Sequence, residues 1–397
     1  MAGALAGVKI LDLSWVLSGP FATMILSDLG AEVIKVEKPG SGDLARGNGP
    51  FIEGESSYFM SLNRGKRSVT LNLQTQQAKD VFLRLVKKVD VVVENFVPGT
   101  MKRLGLDYDV LKKQNPSVIY AAISGFGQTG PQAQAPALDI VIQAMGGMMS
   151  ITGEPDGPPV KPGASLGDIT AGLFTATGIL AALFERQKSG QGQMLDISML
   201  DCQVALLENA FARYFATGTI PQRLGNRHAV FTPFQTFKTK DGDVAIAMVG
   251  GERNQWPLFC AAIGHLELMD DERYQTGELR TQHYSELEPV LSQALKAKTT
   301  AEWLKELSEL GIPCGPINNI AQVASHPQTQ ARGMIIEVPH PKLGKVKMTN
   351  SPIKLSRTPT RIVRAAPGLG QDSRDVLAEL LGMSDAEIRG LKESGAI

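Results

Sequence analysis

Residues 8–37, VKILDLSWVLSGPFATMILSDLGAEVIKVE, decide the fold class of this chain. Residues 8–13 and 31–37 are short apolar runs with the length of buried β-strands. Residues 21–29 between them have a helical pattern, which Gly19-Pro20 opens. A strand, a helix and a strand in this order predict a βαβ unit with parallel strands.

The alternation of strands and helices continues beyond this unit. Further elements are predicted as strands at 90–95, 117–123 and 193–198, and as helices at 76–88, 100–113, 168–188 and 199–217. This pattern predicts an α/β fold with a Rossmann-like parallel sheet.

A change of pattern at about residue 223 indicates a second, smaller domain that extends to about residue 331. Its predicted elements are strands at 234–238 and 244–249, which form a hairpin, and helices at 253–263, 284–297 and 300–310. The tail that follows has short strands and ends in a predicted helix at 384–394.

Composition excludes several classes of protein. The 397 residues include 40 Lys and Arg and 40 Asp and Glu, without the basic excess of a typical nucleic-acid-binding protein. The three cysteines are too widely spaced for a disulfide framework or a CxxC metal motif. The sequence shows no signal-peptide pattern, and no uninterrupted apolar run approaches the roughly 18 residues of a membrane span. We therefore expect a cytoplasmic protein with no nucleic-acid partner, no membrane partner and no metal site.

A glycine-rich segment at residues 125–130, GFGQTG, matches the GxGxxG pattern and follows a predicted strand. Pro131 comes next, and residues 132–136 do not begin a convincing helix. A dinucleotide-binding fingerprint needs a helix N-terminus there to hold the pyrophosphate. A surface loop is therefore favoured over nicotinamide or flavin binding.

Asp168 is the most informative carboxylate, because it lies at the start of a long predicted helix. An aspartate there is a good N-cap, which is a structural role that needs no chemistry. The position also suits a nucleophile, because a helix N-terminus lowers the pKa of a carboxylate and keeps it ionised. Gly167, Ala171 and Gly172 would leave room for a bulky acyl group. The residues alone leave both roles open.

Two further groups of residues are candidates for binding. A basic cluster lies near predicted strand ends and in loops, where a phosphate-rich ligand could bind an open α/β sheet. The alternative to phosphate binding is that these residues are ordinary surface charges. The members of the cluster are Lys35, Lys38, Arg46, Arg64, Lys66, Arg67, Lys102 and Arg103.

His228 is the second candidate for binding, and it lies in a polar loop. The alternative is that it is an ordinary solvated histidine of that loop.

Taken together, seven segments resemble the class III CoA-transferases, the CaiB/BaiF or formyl-CoA transferase family. They are Gly19-Pro20 and residues 28–37, 63–68, 93–99, 125–131, 167–168 and 311–316. The resemblance implies a Rossmann-like large domain, a small α+β domain, a C-terminus that returns to the large domain, and two chains interlocked as a homodimer. It places the large domain at 1–200, a linker helix at 201–224, the small domain at 225–330, and the return linker and C-terminal part at 331–397.

The resemblance also implies roles for individual residues. Asp168 matches the family's catalytic aspartate, which carries aspartyl-acyl anhydride and aspartyl-CoA thioester intermediates during CoA transfer. The positions that match CoA-binding residues of the family are Val16, Leu17, Ser18, Lys38, Leu71, Gln74, Asn95, Phe96, Arg103 and Asp139. CoA enters as part of the substrate, and no permanently bound cofactor is expected.

The sequence differs from formyl-CoA transferase in a way that indicates a different acceptor. The run of four glycines in that enzyme is absent from residues 225–233 of this chain. Gly250-Gly251 is a poor substitute for that run. Residues 223–228 and 315–319 are similar to the acetyl-CoA:oxalate and succinyl-CoA:dicarboxylate branches. We expect succinyl-CoA or another short acyl-CoA as donor and a dicarboxylate as acceptor, bound by His228 with Arg46 or Arg227.

Other functions share this fold. An α-methylacyl-CoA racemase uses a histidine and the aspartate as an acid–base pair, but Leu138 stands where that histidine is expected. Glu252, in contrast, resembles a glutamate of the racemases. A carnitine-type CoA carrier or dehydratase is a related alternative. A non-enzymatic CoA-binding subunit, in which Asp168 only caps its helix, is the third.

Overall fold

The computed structural model describes residues 3–249 and 255–397. Its strands are β1 (Lys9–Asp12), β2 (Glu32–Glu37), β3 (Phe51–Ile52), β4 (Glu55–Ser56), β5 (Arg67–Thr70), β6 (Val91–Glu94), β7 (Ile119–Ser124), β8 (Met194–Ser198), β9 (Phe234–Lys238), β10 (Asp243–Ala247), β11 (Cys314–Pro316), β12 (Ile335–His340) and β13 (Gly344–Thr349).

The α-helices are α1 (Ser18–Asp28), α2 (Ser57–Asn63), α3 (Gln76–Val86), α4 (Thr100–Leu104), α5 (Tyr108–Gln114), α6 (Asp139–Met145), α7 (Met148–Ile151), α8 (Leu166–Ser189), α9 (Met199–Leu206), α10 (Glu208–Thr217), α11 (Trp256–Ile263), α12 (Gly277–Gln282), α13 (Tyr284–Leu295), α14 (Thr300–Glu309), α15 (Ile320–Ser325), α16 (Pro327–Ala331), α17 (Ser373–Leu381) and α18 (Asp385–Glu393). Short 3₁₀ helices span Leu44–Gly47, Leu266–Met269 and Glu272–Tyr274.

A six-stranded parallel sheet organises most of the chain, in the order β5-β2-β1-β6-β7-β8. The chain builds the sheet outward from β1 in one direction and then, from β6, in the other. Strand order therefore reverses between β1 and β6, where the loops after the two strands diverge and leave a crevice at the carboxyl edge. The predicted α/β class and parallel sheet are confirmed.

Both faces of this sheet are covered by helices, which explains why its central strands are almost continuously apolar. One face packs against α3, α5, α17 and α18 in a core that includes Leu11, Phe82 and Val92. The other face packs against α1, α6, α8 and α9, with Ile10 and Ile179 fully buried. The sheet is thus a rigid middle layer, and its carboxyl edge is free to carry a site.

Several predicted elements differ from the observed ones. The predicted helix at 100–113 is two helices, because Gly105 takes a left-handed conformation (φ 72°) that ends α4. The predicted helix at 199–217 is likewise interrupted at Leu207. Strand β5 was not predicted. The predicted helix at 253–263 is observed as α11, while residues 253 and 254 lie outside the described residues.

Two compact units make up the chain. The first comprises Met1–Met148, Lys161–Phe215 and Pro327–Ile397 and contains the parallel sheet. The second comprises Met149–Val160 and Ala216–His326. In it, the antiparallel sheet β11-β10-β9 packs against helices around a core that includes Trp256, Phe259 and Trp303.

Helix α8 is long and apolar enough to span a membrane by length and composition. Half of its most apolar window is nevertheless buried inside the protein, and one side of it packs against α1. Core helices of soluble proteins can be equally long and apolar, and α8 contributes Ala171, Ala176 and Ile179 to the core of the first unit.

Candidate active site

The turn after β1 forms the first wall of the site. The Asp12 carboxylate accepts hydrogen bonds from the Ser14 N–H at 3.0 Å and from the Ser14 hydroxyl. Val16 has a φ of 63°, a left-handed conformation that a β-branched residue rarely adopts. Its N–H donates to Asp43 Oδ1 at 3.0 Å. Helix α1 starts two residues later at Ser18, so this turn sets how the first residues of α1 face the site.

The loop after β6 forms the second wall and is tied to the first. The Asn95 amide accepts a hydrogen bond from the Trp15 N–H and donates one to the Trp15 carbonyl, both at 2.8 Å. The same amide group donates to Ser18 Oγ at 3.2 Å. The Phe96 ring meets the Trp15 ring edge-on, with 5.5 Å between centroids. These contacts make the two loops one continuous surface.

A cavity of about 420 Å³ lies between these loops, at the point where the strand order reverses. Its lining is mainly apolar. The residues that line it are Trp15, Val16, Leu17, Ser18, Leu44, Asn95, Phe96, Val97, Pro98, Ile123, Ser124, Gly125, Ala133, Ala135, Ala137, Leu138, Asp139, Asp168 and Met199. Seven of the predicted site residues are therefore together: Val16, Leu17, Ser18, Asn95, Phe96, Asp139 and Asp168.

Asp168 is the third residue of α8 and not its cap, because Ser165 occupies the N-cap position. The prediction that the helix N-terminus keeps its pKa low is wrong. Burial raises the pKa of Asp168 to about 7, the Asp139 charge adds to this effect, and a hydrogen bond from the Ser18 hydroxyl opposes it. Burial and a like charge therefore account for the upward shift. A carboxylate that titrates near neutral pH is more basic than an ordinary aspartate, and it is still substantially ionised at pH 7.

Asp139 lies in the first turn of α6 and is held by donors around both of its oxygens. Its Oδ1 accepts a hydrogen bond from the Gly167 N–H at 2.9 Å. Its Oδ2 accepts from Gln143 Nε2 at 2.7 Å and lies 3.8 Å from Lys161 Nζ. Because Gly167 precedes Asp168 in the chain, this contact fixes the two carboxylates relative to each other.

The basic cluster differs from its prediction as a phosphate-binding or surface group. Lys35 and Lys66 are completely buried, where Lys35 pairs with Asp43 at 2.8 Å and Lys66 with Asp12 at 2.9 Å. The remaining paired members are also bound by carboxylates: Arg64 by Asp28, Arg46 by Glu37, and Arg67 by Glu32 and Glu379. Most of the cluster thus supports the fold beneath the site, because five of its members pair with carboxylates that lie on other strands, helices or loops.

Comparisons with known proteins give this site a context. A model of CoA-transferase family III matches residues 5–373. The chain belongs to this family. A succinyl-CoA:glutarate CoA-transferase of Mus musculus is 41% identical over 394 residues, which cover 99% of this chain and 90% of the relative. An acetyl-CoA:oxalate CoA-transferase of Acetobacter aceti is 43% identical over 355 residues, which cover 89% of this chain and 90% of the relative.

A solved structure agrees with these relatives. A CaiB/BaiF family protein from Brucella suis superposes with a TM-score of 0.85 at 39% sequence identity, over 96% of this chain and 100% of that chain. The predicted resemblance is confirmed, and the protein is a CoA-transferase. Leu138, which stands where a racemase histidine is expected, lines the cavity. Glu252 and Gly250-Gly251 lie outside the described residues.

The other predicted CoA-binding residues of this CoA-transferase lie outside the cavity lining. Lys38, Gln74 and Arg103 are exposed on the first unit, and Arg103 donates a hydrogen bond to Thr100 Oγ1 at 2.8 Å. The Leu71 side chain is buried in the core between the sheet and α3, so only its backbone could reach a ligand.

The three predicted acceptor-binding residues have different surroundings. In the first unit, the Arg46 guanidinium makes two 2.7 Å hydrogen bonds to Glu37 and stacks on the Phe59 ring. In the second unit, Arg227 lies over the Tyr284 ring at 4.3 Å. His228 Nδ1 accepts hydrogen bonds from two backbone N–H groups, at 3.1 and 3.2 Å. A neutral His228 therefore carries its proton on Nε2 and presents it as a donor.

Sequence reasoning missed several lining residues, among them Trp15, Ser124 and Met199. Ser124 ends β7, and its buried hydroxyl has no hydrogen-bond partner among the described residues. The carboxyl ends of parallel strands meet at one edge of the sheet, so the residues that close β1, β6 and β7 could have been grouped as neighbours. The glycine-rich segment at 125–130 follows β7 as a loop, and the next helix begins only at Asp139.

Proposed function

We propose that this CoA-transferase moves CoA from succinyl-CoA, or another short acyl-CoA, to a free dicarboxylate, with Asp168 as the nucleophile. One observation carries the proposal. Asp168 is a carboxylate with a pKa of about 7 that lines an apolar cavity at the carboxyl edge of the sheet. The names of the relatives, which act on glutarate and oxalate, support dicarboxylates as acceptors.

The first half of the reaction consists of two exchanges at acyl carbons. The Asp168 carboxylate attacks the donor thioester carbonyl, and the C–S bond breaks to release CoA thiolate and an aspartyl-acyl anhydride. The thiolate then attacks the aspartyl carbonyl, which releases the donor acid and leaves CoA joined to Asp168 as a thioester. The enzyme now carries the CoA while the donor acid is replaced by the acceptor.

The second half of the reaction repeats these exchanges in reverse. The acceptor carboxylate attacks the aspartyl-CoA thioester, which releases thiolate and forms a second anhydride. The thiolate attacks the acceptor's acyl carbon, and Asp168 leaves as a carboxylate. Each thioester that breaks is replaced by another, so the reaction needs no ATP.

The surroundings of Asp168 suit these steps. The largely apolar lining would limit the water that could hydrolyse an anhydride. Ser18, the first residue of α1, lines the same cavity, and an N–H at the start of a helix has no carbonyl partner within that helix. Such N–H groups are the donors that a developing oxyanion requires. The Ser18 hydroxyl, which donates to Asp168, would favour the ionised nucleophile.

We further propose how the substrates bind. Asn95 and Phe96 contact the CoA arm next to Asp168, and the exposed cations Lys38 and Arg103 bind its phosphates. The Leu71 backbone and Gln74 flank the adenine. The acceptor's carboxylate is bound by Arg227 and by the Nε2–H of His228. Arg46 is a weaker candidate for this role, because Glu37 already occupies its guanidinium.

We also propose that two copies of the chain form an interlocked homodimer. Each copy has a Rossmann-like large domain and a small domain. Helix α8 supports it, since Leu173, Phe174 and Phe184 on this helix are between 42% and 63% exposed. A second copy that covers this face would explain why a helix with one exposed side is apolar all round. Light scattering should then give twice the mass of one chain.

The function is tested with purified wild type, Asp168→Ala and a matched control. Asp201→Ala is that control, because Asp201 also lies in the first turn of a helix but is exposed and outside the cavity lining. Each protein is mixed with succinyl-CoA or acetyl-CoA and with formate, oxalate, glutarate, mesaconate, citramalate, malate or itaconate, and mass spectrometry scores new thioesters. We expect a new dicarboxylyl-CoA from wild type and the control only. No new thioester from any pair, or equal transfer by Asp168→Ala, would overturn the proposal.

A further inference from the structure

Lys35 and Asp43 have no part in the proposed chemistry, yet together with Asn95 they bind the turn after β1 at successive peptide groups. Lys35 Nζ donates to the Ser14 carbonyl at 2.8 Å. Asn95 holds both the N–H and the carbonyl of Trp15. Asp43 Oδ1 accepts the Val16 N–H. Lys35 and Asp43 are an ion pair of 2.8 Å whose side chains are both completely buried.

We propose that the buried Lys35–Asp43 ion pair is a positioning device that holds Val16 in its left-handed conformation and thereby places Ser18 against Asp168. Lys35 and Asp43 are positioning residues, since neither lines the cavity. The proposal rests on the proposed function, in which Asp168 is the nucleophile. It adds to that function two residues that lie beneath the turn and outside the cavity lining.

The conformation of Val16 is the reason that such a device is needed. For a β-branched residue the left-handed region is sterically unfavourable, and it persists only where surrounding contacts impose it. Asp43 restrains this conformation by accepting the hydrogen bond from the Val16 N–H. Lys35 keeps Asp43 in place through the ion pair, and its ammonium group also donates to the Ser14 carbonyl. Without Asp43, Val16 would relax toward an ordinary backbone conformation, and the start of α1 would move with it.

Ser18 links this turn to the nucleophile. Ser18 and Asp168 line the same cavity, where the Ser18 hydroxyl accepts a hydrogen bond from the Asn95 amide at 3.2 Å. The same hydroxyl lowers the pKa of Asp168 as a hydrogen-bond donor. A displaced turn would weaken the contact between Ser18 and Asp168, so both the turnover number and the ionisation of Asp168 would change. A role in folding alone would change neither in the molecules that remain folded.

Asp43→Asn is the most informative substitution. The Asp43 carboxylate accepts hydrogen bonds from the N–H groups of Val16 and Ala45 with one oxygen and faces Lys35 with the other. Either orientation of an amide there would place its NH₂ group against another donor. Folding should survive the change, because the charges of Asp12 and Glu37 also act on Lys35.

Two changes are expected in Asp43→Asn. The turnover number should fall about five- to thirtyfold, which corresponds to the cost of the left-handed conformation. The acidic limb of the pH profile of kcat/KM should also move to higher pH, since the Ser18 hydrogen bond lowers the pKa of Asp168. Thermal melting and circular dichroism show that the variant is folded.

A second substitution tests whether Asp43 acts through Val16. Glycine adopts positive φ at no steric cost, so in a Val16→Gly background the turn needs less restraint. Asp43→Asn should then lower the turnover number by less than about threefold relative to Val16→Gly alone. Equal losses in both backgrounds, or an Asp43→Asn enzyme with wild-type turnover and pH profile, would overturn the inference.

The same experiment separates this inference from the proposed function. Wild type that fails to transfer CoA would count against the proposed function, whereas active wild type with an unaffected Asp43→Asn variant would count against the positioning device alone. If Asp43→Asn does not fold, Asp43→Glu takes its place. That variant keeps the charge for Lys35 but moves the acceptor away from the Val16 N–H, so the same losses and the same rescue by Val16→Gly are expected.

Discussion

Replacing Asp139 by asparagine should make the enzyme more active at acidic pH. Burial and the Asp139 charge together raise the pKa of Asp168 to about 7. Asp139→Asn removes the second of these causes and keeps an oxygen that can accept the Gly167 N–H. The neighbouring amide of Gln143 can rotate to accept the new NH₂ group, because its Oε1 has no other partner among the described residues.

The size of the effect follows from the charge that is removed. A neighbouring like charge raises the pKa of a carboxyl by roughly one to three units, and partial exposure of Asp168 places the effect at the low end. We therefore expect the pKa of Asp168 to fall by about one unit. The ionised fraction at about pH 6 would then rise from about one tenth to about one half, a gain of about fivefold, with little change at about pH 8.

The assay is the pH dependence of kcat/KM for the acyl-CoA donor, since this parameter reports ionisations of the free enzyme. CoA phosphates titrate alike with every variant, so a difference between variants belongs to the protein. Ser18→Ala is a control that should shift the pH profile in the opposite direction. It removes the hydrogen bond that lowers the pKa of Asp168, and the acidic limb should therefore move to higher pH. If the acidic limb of the pH profile moves in neither variant, or moves in the same direction in both, this explanation of the Asp168 pKa is refuted.

Three further predictions concern the acceptor and the stability of the fold. His228→Ala should raise the acceptor KM about tenfold with little change in donor turnover, because a hydrogen bond to a carboxylate is lost; an unchanged acceptor KM would exclude the proposed contact. Glu94 is buried and has its pKa raised to about 7, mainly by burial, so its contribution to stability is complete at low pH and is lost as pH rises through about 7. Glu94→Gln should therefore melt at a higher temperature than wild type at about pH 8.5 and show little difference at about pH 5; a constant difference across this range would contradict the assignment. Asp168→Asn should abolish transfer and yet raise the free energy of unfolding at about pH 8.5 by about 1–3 kcal/mol, because the buried charge that destabilises the fold above about pH 7 is removed. Chemical denaturation at that pH would show no gain in the free energy of unfolding if Asp168 titrates normally.

Much of the fold could be predicted because its signal is local. The apolar runs that became β1, β2, β6 and β7 and the apolar stretch of α8 are each complete within one segment. Strand β5 was missed because Arg67 and Ser68 make it look polar. In the structure, Arg67 is neutralised by Glu32 and Glu379, and Ser68 donates to Glu37, so its polar groups are satisfied by partners that the local pattern does not contain.

The site was predicted more by resemblance than by pattern. Asp168, which the resemblance names as the nucleophile, lines the cavity. The predicted direction of its pKa shift is wrong, because Asp139 and the buried surroundings come from other elements. The basic cluster was misjudged for a similar reason. A lysine such as Lys66 looks like a ligand contact in the sequence, and only the fold shows that it pairs with Asp12. The role of a charged residue depends on the partners that the fold brings to it, and a single sequence does not show those partners.

The central claim is that Asp168 is covalently acylated, and the most direct test follows an oxygen atom. When the acceptor acid is labelled with ¹⁸O in its carboxylates, one labelled oxygen becomes the bridge of the second anhydride. The thiolate attacks the acyl carbon, so that oxygen stays on Asp168. After a single turnover, mass spectrometry of the peptide that contains Asp168 should show one ¹⁸O, while the peptide that contains Asp139 stays unlabelled. An enzyme that has turned over without ¹⁸O on Asp168 would contradict the account.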